Sequence, residues 1–175
     1  LDHVLQQLQG PIERAARSDV GQPTEFEVAT AAAIVHFAQM DVDVAVVEVG
    51  LGGRLDSTNV VNPAVSVLTP IGLDHTNRLG TTVSEIAADK AGIIRPNVPL
   101  VCAPQQEEAA RVITEVAEER GAPLIVAGRD YELSLMQADQ NGTMFDLRWQ
   151  DEWLRQLYVP LLGPHQAVNA AGAAV

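Results

Sequence analysis

Short runs of β-branched and apolar residues alternate with segments of helical period along most of the chain. This alternation limits the possible folds more than any other feature. The runs are DVAVVEV at 43–49, AVSVLTPIG from Ala64, VPLVCAP at 98–104 and PLIVAG at 123–128. A near-continuous branched run suits a strand buried on both faces, as in a parallel sheet. Helical patterns lie between and before them, at TEFEVATAAAIVHFAQ (24–39), at about 82–91 and at about 106–120. In the first of these, Phe26, Ala29, Ala33 and Phe37 fall near one face. Strands alternating with helices of this length predict right-handed βαβ units. The expected fold class is α/β, a mostly parallel sheet flanked by helices.

The pattern changes after Gly128. YELSLMQADQNGTMFDLRWQDEWLRQLYVPL (131–161) has short alternating stretches around Asn141-Gly142, a hairpin signal. A small antiparallel sheet is therefore expected near the C-terminus. GPHQAVNAAGAAV then reads as a turn leading into a helix, with Pro164 close to its first position. At the other end, residues 1–16 read as helical with an interruption near Gly10-Pro11, and a loop covers 18–23. The chain opens without Met inside one helical pattern and ends inside another. It reads as a piece of a longer protein.

Length and charge narrow the function classes. With 175 residues the chain suits one domain, which buries roughly 70% of its extended surface. At 47% hydrophobic and 19% charged residues it belongs with globular chains, not disordered ones. The net charge of -12 disfavours nucleic acid and anionic membranes as partners. The one cysteine, Cys102, excludes a disulfide framework and a cysteine-only zinc site, and suits a reducing, cytoplasmic setting. In its apolar strand it reads as core. No apolar run approaches the length of a membrane span.

Three segments carry the chemistry. In VVEVGLGGRLDSTNVV (46–61) a strand expected to be buried ends at Glu48 and enters a loop with Gly50, Gly52, Gly53, Arg54 and Asp56. Ligands of open α/β sheets bind at the carboxyl ends of strands, where Glu48 would sit. A dinucleotide fingerprint fails, because Leu55 stands where the third glycine belongs. Plain turn chemistry therefore stays open beside a functional loop. In TPIGLDHT (69–76), Asp74 and His75 follow the next strand; a lone histidine is a ligand, a catalytic group or merely solvated. In TTVSEIAADKAGII (81–94), Thr82 and Glu85 form a capping box. The apolar stripe Val83, Ile86, Ala87 then leads to Lys90. Either the Lys90 stem snorkels to water, or burial frees its neutral amine for chemistry. Glu48, His75 and Lys90 are expected to converge at one edge of the sheet. The chain contains no G-x-x-x-x-G-K-[ST] phosphate loop and no G-x-S-x-G elbow.

These segments resemble the folylpolyglutamate synthase/dihydrofolate synthase branch of the Mur ligase superfamily. VVEVGLGGRLDSTNVV looks like its signature loop. TEFEVATAAAIVHFA is similar to its FE-x-x-T-x-x-A helix. TPIGLDHTNRLGTTVSEIAADKAGIIRPNVPLV is similar to its IG-x-DH…LG-x-T…KAGI block, and LLGPHQAVNAAGAAV to its L-x-G-x-HQ-x-x-NA segment. The resemblance implies the superfamily's central, P-loop NTPase-like domain, and ATP-dependent ligation of L-glutamate to a folate or dihydropteroate carboxylate through an acyl phosphate. It implies ATP and magnesium as cofactors, Glu48 and His75 as metal ligands, and Lys90 as a lysine carbamylated by CO2. Thr24, Phe26, Asp56 and Ser57 match places that hold the pterin end of the substrate. A carboxylate can pair the pterin's polar edge, and Phe26 can stack on its ring. Asn169 matches a residue near the ATP base. His165, one helical turn earlier, is either part of that site or a cap. Arg54 either orients an anion or forms a loop salt bridge, and His3 and His36 are unassigned. A cytoplasmic monomer is the expectation. The family's P-loop would precede residue 1 and its C-terminal domain would follow residue 175, so these 175 residues alone are expected to be inactive. Another Mur-type amide ligase, or a non-catalytic α/β module derived from one, are the alternatives.

Overall fold

A computed structural model describes residues 2–175. The chain divides into two units. One comprises residues 1–51 and 55–61, the other Gly52–Arg54 and Asn62–Val175.

The first unit holds α1 (Asp2–Ala16), α2 (Glu25–Gln39) and a 3-10 turn, Ser57–Val60. The expected break at Gly10-Pro11 does not occur, and α1 runs through with Pro11 inside it. Proline removes one intrahelical hydrogen bond, and here the turns on either side carry the helix past it. The two helices pack on each other, each with one buried hydrophobic residue, Val4 and Ala32, and the Gln39 amide donates to Gln7 Oε1 at 2.7 Å. The buried stripe of α2 centres on Ala32, whereas Phe26, Ala29 and Ala33 are exposed. The α2 residues are apolar almost all round, so periodicity alone did not identify the covered face.

The run at 43–49 differs from expectation most. It forms no strand, and Val44 and Val46 are 79% and 93% exposed. Branched residues show that a segment fits a pleated, covered surface. A ladder also needs a neighbouring backbone, and among the described residues none pairs with this run.

The second unit contains the parallel sheet. Its strands β1 (Ser66–Leu68), β2 (Leu100–Cys102) and β3 (Leu124–Val126) lie side by side in that order. The register sets Val67 beside Val101 and Val101 beside Ile125. The short α3 (Thr76–Leu79) and α4 (Val83–Lys90) connect β1 to β2, and α5 (Glu107–Glu119) connects β2 to β3. The capping box on α4 is present, with Thr82 Oγ1 accepting from the Glu85 N–H and the Glu85 carboxylate accepting from the Thr82 N–H. On α5 the residues at four-residue spacing, Ala109, Ile113 and Ala117, are buried. They pack with Ile86, Ile94, Leu100 and Cys102 into one core. The Arg120 guanidinium, just past α5, donates to the carbonyls of Gly92 and Ile94 and ties that helix end to the segment after α4.

The second sheet is antiparallel, β4 (Tyr131–Asp139), β5 (Gly142–Trp149) and β6 (Glu152–Val159) in sequence order. The hairpin forms as expected, but its turn falls one residue earlier, at Gln140-Asn141, and Gly142 opens β5 opposite Asp139. A side chain at Gly142 would meet Val159 O at 2.5 Å, so glycine lets the third strand approach. In β6 an extra residue bulges opposite Asp146, with Gln156 in the left-handed region at φ 56°. The Asp146 carboxylate accepts from the Gln156 N–H at 2.8 Å and from Arg155 at 2.6 Å. The apolar face of this sheet (Tyr131, Phe145, Leu147) packs on α6 (Pro164–Ala174) through Ala167 and Ala171. Val101 of β2 joins this second core, while its neighbours Leu100 and Cys102 point into the first. A central strand covered on both faces accounts for the unbroken apolar run VPLVCA. Pro164 occupies the first turn of α6, as expected.

Candidate active site

The glycine-rich loop carries two constellations, one in each unit. In the first unit, the Asp56 carboxylate organises residues 50–58. Its Oδ2 accepts from the N–H groups of Gly50 (3.1 Å) and Leu51 (2.9 Å). Its Oδ1 accepts from the Thr58 N–H (2.9 Å) and the Thr58 hydroxyl (2.6 Å). Partial burial pushes the carboxyl pKa up. The Thr58 hydroxyl and the N–H groups of Leu51, Thr58 and Gly50 outweigh that, and Asp56 titrates below the usual aspartate range. Ser57 follows in the 3-10 turn, half-buried.

Thr24 caps α2. Its side chain accepts from the Glu27 N–H, and the Glu27 carboxylate accepts from the Thr24 N–H at 2.7 Å and its hydroxyl at 2.8 Å. These bonds hold the Glu27 carboxyl below its ordinary pKa. Phe26, in that first turn, rests its ring end on the Gly50 backbone and is still 46% exposed. Thr24, Phe26, Asp56 and Ser57 thus belong to the same unit, and the structure brings Phe26 onto the loop that Asp56 holds. Glu48, exposed, precedes this loop on the unpaired run. It does not sit at the end of a buried strand, because that strand does not form.

In the second unit, Gly52–Arg54 pack on the end of α4 by their backbone. The Arg54 N–H donates to Asp89 O at 3.0 Å. A Cβ on Gly53 would lie 2.8 Å from Lys90 O and 2.9 Å from Asp89 O. Gly92 likewise leaves room for Arg54 N, which a Cβ there would meet at 2.7 Å. Gly52 has φ 72°, and its Cβ would overlap the Asp89 carboxylate. Arg54 Nε also lies 3.7 Å from Asp89 Oδ1. The loop-salt-bridge alternative for Arg54 is therefore observed. Lys90 ends α4 half-buried, in line with the buried Val83, Ile86 and Ala87.

His75 lies on the loop beyond the carboxyl end of β1, exposed, with its backbone left-handed at φ 49°. Its N–H donates to Asp74 Oδ1 at 2.7 Å, and Nε2 is 3.6 Å from Asp74 Oδ2. Gln105, which sequence reasoning missed, secures the start of this loop. Its side chain accepts from the Ile71 N–H and donates to Thr69 O, both at 2.9 Å. The signal for it was a polar residue directly after a buried strand. Asp89 was also missed; its signal was a carboxylate beside Lys90 at a helix end. On α6, His165 and Asn169 are exposed one turn apart. The His165 ring lies over Gly163, and Asn169 Nδ2 donates to Gln166 Oε1 at 3.5 Å. Cys102 is buried core, and burial pushes its thiol pKa up.

Among the described residues no three His, Cys, Asp or Glu side chains gather into a metal cluster. Magnesium is commonly held by one or two carboxylates plus substrate phosphates, without an all-protein cage. The exposed Glu48 carboxylate offers oxygen donors of the right kind, and His75 a less usual nitrogen.

The chain is similar to several folylpolyglutamate and dihydrofolate synthases. A dihydrofolate synthase/folylpolyglutamate synthase of Bacillus subtilis is 41% identical over 169 residues, covering 96% of this chain and 39% of that protein. A folylpolyglutamate synthase of Lacticaseibacillus casei is 42% identical over 148 residues, covering 85% of this chain and 35% of that one. This chain therefore spans well under half the length of these curated relatives. Among solved structures, an FPGS–AMPPCP–folate complex superposes with a TM-score of 0.90 at 38% identity, covering 98% of this chain and 42% of that one. The Mycobacterium tuberculosis folylpolyglutamate synthase complexed with ADP and AMPPCP gives a TM-score of 0.88 at 32% identity, covering 98% of this chain and 40% of that one. The Mur ligase middle domain pattern matches residues 3–175, and on that match, with the α/β sheet and its appended antiparallel sheet in place, the chain belongs to the Mur ligase middle domain family.

Proposed function

We propose that this chain is the central domain of an ATP-dependent ligase that joins L-glutamate to the carboxylate of a folate or dihydropteroate. The observation that carries the reading is the half-exposed Phe26 seated on the Asp56-held loop, in a chain 38% identical to a protein described in complex with AMPPCP and folate. In this reading ATP phosphorylates the acceptor carboxylate. The glutamate amine then attacks the acyl phosphate, forms the amide bond, and releases phosphate and a proton. Phe26 stacks on the pterin ring. Ser57 offers its hydroxyl to the pterin's polar edge, and Thr24, whose hydroxyl proton goes to Glu27, offers an acceptor lone pair. Asp56 keeps the loop in shape and adds negative charge beside it, and Arg54, besides its pair with Asp89, would help orient an anionic part of the acceptor.

Glu48 and His75 would hold magnesium, which neutralises the crowded phosphate oxygens when bound. Lys90 reacts with CO2 through its neutral amine: a C–N bond forms, a proton leaves, and the cation becomes a carbamate anion near the phosphates. Its half-buried place at the end of the apolar stripe supports this role. His165 and Asn169 are assigned to the nucleotide base. The net charge of -12 favours small-molecule partners over nucleic acid. No helix among the described residues is long and apolar enough to cross a membrane. We assign the protein to the cytoplasm as a monomer.

The test follows ADP release by the complete gene product with magnesium, ATP and L-glutamate, adding dihydropteroate or a reduced folate in turn. Release that requires both acceptor and glutamate, and falls with Glu48→Ala, establishes the ligase and identifies its acceptor. A folded protein that releases no ADP with either acceptor overturns the folate reading in favour of another Mur-type substrate. These 175 residues alone are expected to show no turnover in the same assay.

A further inference from the structure

We infer that Gly50 is a positioning residue for Phe26 and so sets how firmly an acceptor's flat heterocycle is held. The inference rests on the folate reading above and deepens it. The end of the Phe26 ring is seated, and the residue as a whole is only half covered. Its backbone belongs to the first turn of α2, which the reciprocal Thr24–Glu27 cap holds in place. Its ring end sits on Gly50: a Cβ there would overlap Cζ and lie 2.9 Å from Cε1 and 3.1 Å from Cε2. Phe26 as a residue is nevertheless 46% exposed, so the seat does not bury it.

The backbone of Gly50 is not in the left-handed region; among the described residues, Gly52 is the one glycine of this loop that is. Alanine therefore fits the backbone at 50, and only the ring requires glycine there. The seat is itself held, because the Gly50 and Leu51 N–H groups share Asp56 Oδ2 while Thr58 occupies Oδ1. A half-covered aromatic residue with its ring end seated is a stacking platform, which binds a flat ring best when its own rotation is already limited. A methyl group at position 50 tilts that platform without touching the ligand.

The experiment is a double-mutant cycle in the complete gene product, read as equilibrium binding of folate and dihydropteroate beside the KM for ATP. Phe26→Ala and Gly50→Ala should each weaken acceptor binding about tenfold, the scale of one lost stacking contact, and leave the KM for ATP unchanged. The double variant should bind no worse than Phe26→Ala, since the added methyl acts only through the ring. If Phe26→Ala binds poorly while Gly50→Ala binds like the parent, the seat is refuted and the folate reading stands. Acceptor binding unaffected by Phe26→Ala overturns both. Additive losses in the double variant also refute the seat. Thr58→Val is the second probe, since it removes the hydroxyl bond to Asp56 Oδ1 while the N–H bond stays, and so loosens the seat without adding bulk. It should weaken acceptor binding in the same direction and leave ATP alone, and unchanged binding there counts against the proposal.

Discussion

Asp56 shows how one carboxylate organises a loop. Its folded pKa lies below the usual aspartate value, because four hydrogen bonds favour the charged form over the opposing effect of burial. A depressed folded pKa stabilises the native state at pH values above the unfolded pKa of about 3.9, and that stabilisation is lost as pH falls through the folded value. Asp56→Asn should therefore lower the urea midpoint at pH 7, and the gap to the parent should narrow by pH 3. A gap that stays constant with pH would show that the carboxylate's charge is not what holds the loop. Gly53 makes the opposite demand, for the absence of an atom. Its neighbours are the carbonyls of Asp89 and Lys90, backbone atoms that cannot rotate aside. Gly53→Ala should cost about 1–3 kcal/mol in denaturant unfolding, the usual range for overpacking.

At the scale of elements, α4 follows from its sequence step by step. The Thr82–Glu85 box starts it, the stripe Val83, Ile86 and Ala87 buries it, and the glycine loop closes on its end. Thr82→Ala should cost about 0.5–2 kcal/mol, and Ile86→Ala, emptying a fully buried site, about 2–5 kcal/mol. Both are measured by urea unfolding, and the second should exceed the first. A reversed order would place the stability of α4 in its cap and not in its packing. The strand β2 is also legible residue by residue. Leu100 and Cys102 serve one core and Val101 the other. The bulge in β6 was not legible. Gln156 carries no mark of a left-handed residue, and it takes that conformation because Asp146 captures its N–H.

At the scale of the whole molecule, the two units differ in how much they bury. Among the described residues the first unit contributes only Val4 and Ala32 to the buried hydrophobics, while the rest belong to the second. Amide exchange should reflect this. Residues 43–49, without a ladder, should exchange close to the unprotected rate, and Val101 in the central strand should be among the slowest. Protection across 43–49 would show that this run is paired in solution.

The sequence by itself determined the elements that repeat a local period: the parallel strands from Ser66 onward, α4 and α5 with their stripes, the β4–β5 hairpin, its turn one residue earlier than the Asn141-Gly142 signal, and the family through its ordered motifs. These were readable because period, caps and turns depend on neighbours close in the chain. Tertiary structure decided the rest. The valines of 43–49 carry a strand pattern, but pairing depends on which backbone lies alongside, and that is not encoded in the run. Likewise Phe26 and Gly50 are far apart in sequence, as are Gly53 and Lys90. Their roles come from close approach, where a missing Cβ matters only because another part of the chain fills the space it leaves.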